Sequence, residues 1–207
     1  GYADLNVGAQ WWLAAHKKHD AKIFADPDIA HDMEEAFHRE LDLQWSYGGW
    51  MEDRSTIRRG TYLEESGHWL HTGIDVNANA GTTVRAVASG PIVYSGTDAP
   101  MTGGWGYHLI QIIQFRGRPH ALLYAHLMGL PSPRLKGFAE KDVSLGQIGW
   151  KETNGFWRPH LHLQLFADIE SVNDWAAFSR EMDGYVRPDE RHIWACRCPD
   201  PTPLIFA

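Results

Sequence analysis

Only two cysteines occur in the 207 residues, Cys196 and Cys198. A single C-x-C cannot supply a disulfide framework, and a zinc ribbon needs more ligands than this. The pair reads as two ordinary thiols in a tail and leaves the redox compartment open. No apolar run approaches the ~18 residues that mark a membrane-spanning helix. Basic charge is also short: 19 Lys and Arg stand against 26 Asp and Glu, a formal net charge of −7. That balance provides no polybasic stripe for nucleic acid and no electrostatic pull towards anionic lipid or wall polymers. No signal-peptide pattern opens the chain, as is also the case for a secreted protein after processing. H-E-x-x-H is missing, which excludes a helix-borne zinc site with a glutamate base. G-x-S-x-G is missing too, so nothing supports Ser-His-Asp chemistry. There is no internal repeat and no low-complexity tract.

What the chain does have is 12 histidines and 10 tryptophans, on a length that suits one sizeable core with a small appendage. The clearest helix is "FADPDIAHDMEEAFHRELDLQW". Asp26 suits an N-cap and Pro27 the first helical position. Ile29, Met33, Phe37 and Leu41 recur every four residues and make one apolar stripe. Glu35 and His38 form an E-x-x-H pair; a di-iron bundle needs two such pairs and two more glutamates, so the pair is expected on a solvated face. An earlier stretch, "QWWLAAHKK", reads as a second short helix. From about residue 70 the period changes. "TTVRAVASG", "PIVYSG", "YHLIQIIQF", "HALLYAHL" and "HLHLQLF" are short β-rich runs separated by Gly and Pro. They lie too close together for helical crossovers, so the sheet is expected to be largely antiparallel. "SVNDWAAFSREM" reads as a short helix, and "CRCPDPTPLIFA" as a Pro-rich tail. The expected architecture is β-rich α+β. A helical N-terminal extension (residues 1–60) precedes an antiparallel sheet or sandwich core (61–170), and a C-terminal helix and tail (171–207) follow. The extension matches no motif. Docking beside the sheet, covering a groove and mediating dimerisation all stay open for it, and the oligomeric state is not set by the sequence.

Three places carry histidines in patterns with chemical content. In "RPHLHLQLF", leucines at 161, 163 and 165 leave His160, His162, Gln164 and Phe166 on the other face of a strand. Side chains two apart point the same way, with Cα atoms ~6.6 Å apart. Two imidazoles at that distance can reach one metal, or one ligand and its bound water; the plainer alternative is the solvent face of a half-exposed strand. In "HTGIDV", His71 and Asp75 would stand ~13 Å apart in straight β geometry, but Gly73 between them allows a bend. In "LLYAHL", His126 falls among apolar neighbours, where a histidine more often serves the core or an edge. Taken together, two His and one Asp meet the count of a catalytic zinc site, which uses three protein ligands and an open position. Two histidines then remain for proton transfer or oxyanion stabilisation. His68, three residues before His71, competes as a ligand.

The ordered set H-x-G-x-D (His71, Gly73, Asp75), Y-x-H-L (Tyr124, His126) and P-H-L-H (Pro159, His160, His162) resembles the LytM-like, M23-type zinc metallopeptidases. Flanking runs agree: "AGTTVRAVASGPIVYSG", "GGWGYHLIQI" and "VSLGQIG" are similar to the family's segments between its motifs. The likeness spans roughly residues 68 to 166. It implies a β-sheet fold with a groove, zinc (Zn2+) held by His71, Asp75 and His162, and His126 and His160 as catalytic residues. It implies peptide substrates, most often the stem or cross-bridge peptides of peptidoglycan, and a periplasmic or extracellular setting. One departure is the "ETNGFWR" turn before P-H-L-H, where many members have Thr-Gly; this variant also resembles M23-type domains embedded in large multi-enzyme polypeptides. A zinc hydrolase acting on another amide, and a non-catalytic zinc-containing wall-binding or regulatory module, are the competing readings. Trp105, Tyr107 and Trp157 flank the motifs as candidate groove walls, with ordinary aromatic packing as the alternative.

Overall fold

In the computed structural model the described residues are 1–97, 103–128 and 137–206. The chain opens with helices α1 (Leu5–Ala15) and α2 (Pro27–Glu40). Asp26 caps α2 through its side chain, with Pro27 in the first turn, as the sequence led one to expect. Short elements follow: β1 (Ser46–Gly48), α3 (Leu63–Ser66), β2 (Leu70–His71), β3 (Ile74–Asn77) and β4 (Thr83–Arg85). The long strands are β5 (Gly90–Thr97), β6 (Tyr107–Phe115) and β7 (Arg118–Met128). Then come β8 (Phe138–Ala139), β9 (Ser144–Ile148) and β10 (Leu161–Phe166). The chain closes with α4 (Trp175–Glu181), β11 (Tyr185–Val186) and α5 (Arg191–Arg197).

Nine strands form one sheet in the order β1-β3-β10-β7-β6-β5-β8, with β9 pairing both β7 and β4. Among the described residues every pairing between these nine strands is antiparallel, which agrees with connections too short for crossover helices. β2 and β11 pair separately. Alternation along the central strands sorts side chains onto two covered faces. Leu161, Leu163 and Leu165 join Leu109, Leu122 and Tyr124 beneath Val84, Leu145 and Ile148 of the β4–β9 arm. On the opposite face Ile110, Leu123 and Phe166 pack with Met182 and Cys198, with Trp175, Phe178 and Trp194 at the margin. Burying each leucine of β10 contributes about 1.5–3 kcal/mol. All six residues of β10 are buried, so the histidine face is not the solvent face of a half-exposed strand.

The N-terminal helices have their own apolar cluster of Leu5, Ala9, Phe24, Met33 and Ile57. Two expectations about α2 change. Leu41 lies past the helix end and is exposed. His38 is not solvated: it is buried, with Nε2 at 2.7 Å from Ser46 Oγ. Ser46 belongs to β1, which pairs with β3, so α2 lies against the edge of the sheet that carries Asp75. Among the described residues no helix is long and apolar enough to cross a membrane.

Candidate metal centre

β10 lies between β3 and β7, and its register puts His162 level with Asp75 on one side and Ala125 on the other. His71, at the end of β2, reaches the same point because the chain turns back at Thr72 and Gly73. Gly73 is required for room: a Cβ there would lie 2.4 Å from Leu163 O and 2.8 Å from the His162 ring. The sequence had pointed to a bend at this glycine; close approach of the two strands is the stronger reason.

Three donor atoms converge. His71 Nε2 is 2.9 Å from His162 Nδ1, His71 Nε2 is 3.3 Å from Asp75 Oδ1, and His162 Nδ1 is 3.1 Å from Asp75 Oδ1. Metal–ligand bonds of about 2.0–2.1 Å give a tetrahedron with edges of about 3.4 Å, so these separations suit one small ion at the centre. All three residues are buried, and they form the cluster of potential metal ligands among the described residues; His68 is not part of it. His160 comes from the residue before β10, with Nε2 3.5 Å from Asp75 Oδ1. His126 arrives by a different route. Opposite β6, the register slips between Tyr107–Leu127 and Leu109–Tyr124, so Ala125 and His126 together face His108. This is a β-bulge, and His126 has φ +66. In a straight strand His126 would share the core face of Tyr124; the bulge re-aims it. Its ring centroid lies 4.5 Å from that of His160.

Hydrogen bonds around the cluster set which nitrogens carry protons. Gln164 donates its amide to Asp183 O and to Cys198 Sγ, which turns its Oε1 towards His162 Nε2 at 2.9 Å. Nε2 therefore holds the proton and Nδ1 keeps a lone pair facing Asp75 and His71. His160 Nδ1 is 2.7 Å from Arg158 O, and His126 Nδ1 is 2.7 Å from Asn154 O. A carbonyl only accepts, so both rings donate from Nδ1 and present Nε2 as a base. His71 Nδ1 lies 3.4 Å from Arg54 Nη2, too long to fix its tautomer.

A chain of buried charges supports Asp75. Arg54 donates to Asp75 Oδ2 at 2.8 Å and pairs with Glu52, leaving Oδ1 for the cluster. Arg158 is 3.8 Å from Oδ2, donates to Asn77 Oδ1 at 2.7 Å, and stands 2.7 Å from Glu34 Oε2 of α2. Burial works against the Asp75 charge, but its polar surroundings, with Arg54 as the fixed positive charge, outweigh it and hold the carboxyl well below its usual range. Gly48 makes space for this chain, since a Cβ there would sit 2.4 Å from Arg54 Nη2. None of Glu34, Glu52, Arg54 or Arg158 stood out in the sequence. Gln164 did carry a signal, being two residues from His162 on the same strand face.

Burial lowers His71 and His126 to about 3 and His160 well below its usual value. These imidazoles stay neutral in the folded chain, whereas in the unfolded chain they protonate near 6.5. Between those values the unfolded state binds more protons, so stability is lost as pH falls. The metal-free protein is expected to melt at progressively lower temperature from about pH 6.5 downwards. A melting temperature that stays flat between pH 7.5 and 5 would contradict the buried neutral histidines.

The cluster opens into a cavity of about 440 Å³ lined by Trp105, Trp157, Tyr185 and Arg58 among others. Tyr107, the third aromatic singled out in the sequence, packs instead against the leucine face. The model of peptidase family M23 matches residues 70–174, just over half of the chain. No curated protein matches it. Among solved structures it is similar to lysostaphin in its NMR solution structure, at 27% identity and TM-score 0.40, covering 58% of this chain and 49% of that one. It thus spans about half the length of that relative. It is also similar to the catalytic domain of the antimicrobial peptidase lysostaphin from Staphylococcus simulans, at 23% identity, TM-score 0.44, and coverage of 69% and 97%. A third likeness is to a mutant catalytic domain of the prophage-encoded M23 protein EnpA from Enterococcus faecalis, at 20% identity, TM-score 0.41, and coverage of 58% and 77%.

Proposed function

The chain belongs to peptidase family M23, and from that membership together with the site we propose that it is a zinc-dependent endopeptidase acting on peptidoglycan stem or cross-bridge peptides. The observation that carries the metal part is the convergence of His71 Nε2, Asp75 Oδ1 and His162 Nδ1 within tetrahedral reach, with Gln164 fixing the His162 tautomer. Two neutral imidazoles and one carboxylate are a donor set that zinc accepts while keeping a position open for chemistry. Bound there, zinc would polarise the scissile carbonyl and bring the pKa of its water towards neutrality. His160 and His126 do the proton work. Each presents Nε2 as a lone pair, so one takes the proton of the attacking water and passes it to the leaving nitrogen. The other, neutral and with Nε2 as an acceptor, takes a hydrogen bond from the water or the leaving N–H and holds it in line. Trp105 lies 5.1 Å from His162 and 6.0 Å from His126, ring to ring, and forms part of the cleft wall beside the centre.

The test is metal analysis followed by digestion of purified sacculi and mass spectrometry of the released peptides. One zinc per chain and new amino termini within the peptides are expected, with activity abolished by EDTA. The fold should outlast the metal, because the two leucine-rich faces supply a core of their own, unlike a zinc finger. EDTA should lower the melting temperature yet leave a cooperative transition. Stoichiometric zinc with no peptide hydrolysed would instead favour a wall-binding or regulatory module.

A further inference from the structure

Among the described residues three arginines are almost wholly inside the protein, with Arg54 0%, Arg158 2% and Arg58 4% exposed. Arginine is seldom buried without an acidic partner, because lost hydration goes uncompensated. Arg54 has Glu52 and Asp75, and Arg158 has Glu34 and Asp75. Arg58 has no carboxylate within ion-pair distance among the described residues. Its Nε donates to Tyr185 Oη at 2.8 Å. Its guanidinium lies 4.3 Å from the Trp157 ring and 5.3 Å from the Tyr185 ring. Aromatic faces return only part of the lost hydration. The bond from Nε to Tyr185 holds one edge of the fork, which leaves the other edge for a ligand. No Arg58 nitrogen is sealed away without a partner, in contrast to Arg158, and Arg58 is part of the wall of the catalytic cavity.

Its place in that wall is informative. The Tyr185 ring that Arg58 touches is 5.1 Å from His71, and the Trp157 ring is 6.4 Å from His126. Arg58 therefore stands between a candidate metal ligand and a candidate catalytic base, where a substrate residue next to the reacting bond would lie. We propose that Arg58 is a carboxylate subsite of the cleft, which makes the preferred substrates peptides with a free carboxylate adjoining the bond that is cleaved. A planar, doubly hydrogen-bonded carboxylate matches a fork held by Tyr185 and lying against Trp157. Arg58 is the buried cation of that lining, and the other arginine there, Arg180, is solvent-exposed, which suits a monoanion. Asp183 in the same lining and the net charge of −7 disfavour a more highly charged group. Its use as a substrate subsite rests on the peptidase reading above; the anion site itself does not.

The experiment is calorimetric binding to the zinc-reconstituted full chain. The probes are N-acetylalanine, with a terminal carboxylate, N-acetylglutamate methylamide, with a side-chain carboxylate, and N-acetylalaninamide, the neutral control. At least one acid should bind about 10- to 100-fold tighter than the control, the range for charge-assisted hydrogen bonds. Which acid does so tells the two carboxylate sources apart. Arg58→Gln should abolish the preference while zinc content stays at one per chain. Arg58→Lys keeps the charge but loses the fork, and should cut the preference by roughly tenfold; it keeps the test open if the Gln variant does not fold. An acid preference that survives in either variant undiminished, or that is absent from the wild type, overturns the proposal. Turnover of muropeptides in the same preparations separates the two readings: Arg58-dependent binding without hydrolysis leaves the anion site standing and removes the peptidase.

Discussion

His160→Ala is expected to keep one zinc per chain while kcat falls by about 10²–10⁴-fold, the usual worth of a proton-transfer group. His162→Ala is expected to lose zinc and activity together. Strand parity does not separate these two histidines, since both face Asp75 Oδ1, at 3.5 and 3.1 Å. Their hydrogen bonds do. His162 donates its Nε2 proton in a hydrogen bond to Gln164 Oε1, so the nitrogen nearest His71 and Asp75 is Nδ1, whose lone pair is free for a metal. His160 is turned the other way by Arg158 O and offers Nε2 from just outside the three-atom cluster. Removing a ligand leaves two donors, which hold zinc poorly; removing a neighbouring base leaves three. His126→Ala should behave like His160→Ala, because the bulge brings His126 towards the cleft without entering the cluster. Zinc titration alongside turnover of one peptide decides the matter. Zinc lost from the His160 variant and kept in the His162 variant would exchange their roles.

The second large effect lies in α2, far from the motifs. Glu34→Ala is expected to destabilise the protein by about 3–5 kcal/mol, the cost of breaking a buried pair and stranding one charge. Glu34 and Arg158 are each 2% exposed and 2.7 Å apart. Burial pushes the Glu34 carboxyl up to about 7 against the pull of Arg158, so the two groups meet as an ion pair at close range away from water. Without Glu34, the Arg158 guanidinium would turn towards Asp75, its remaining acidic neighbour at 3.8 Å. That competes with a cation at Oδ1, so zinc affinity is expected to drop along with stability. Urea unfolding and zinc titration of the variant read the two effects. A loss below about 1 kcal/mol, the scale of a solvated surface pair, would show that Glu34 and Arg158 are not coupled in solution.

Helix α2 also shows how far local pattern reaches. Asp26, Pro27 and the Met33–Phe37 stripe were legible because capping and period act within a few residues. Glu34 and His38 were not: a polar residue on a helix reads as solvated until another element covers it. Here β1 and Arg158 do so. Likewise His126 sat among apolar residues and looked like a core histidine. Its turn into the cleft depends on a register slip between β6 and β7, which is a property of two strands at once.

The sequence by itself determined the β-rich antiparallel core, the family and the five polar residues drawn together at the cleft. Their order and spacing are written in the chain, and strand alternation is a local consequence of backbone geometry. Only the tertiary structure decided how those residues are held. Arg54 meets Asp75 from 21 positions away, Arg158 meets Glu34 across most of the chain, and Arg58 lies against Trp157 and Tyr185 with no ion-pair acid among the described residues. Charge pairing and burial act through space at a few ångströms, whatever the separation along the chain. For that reason the support of the centre, and the cation left over in its wall, appear only once the chain is folded.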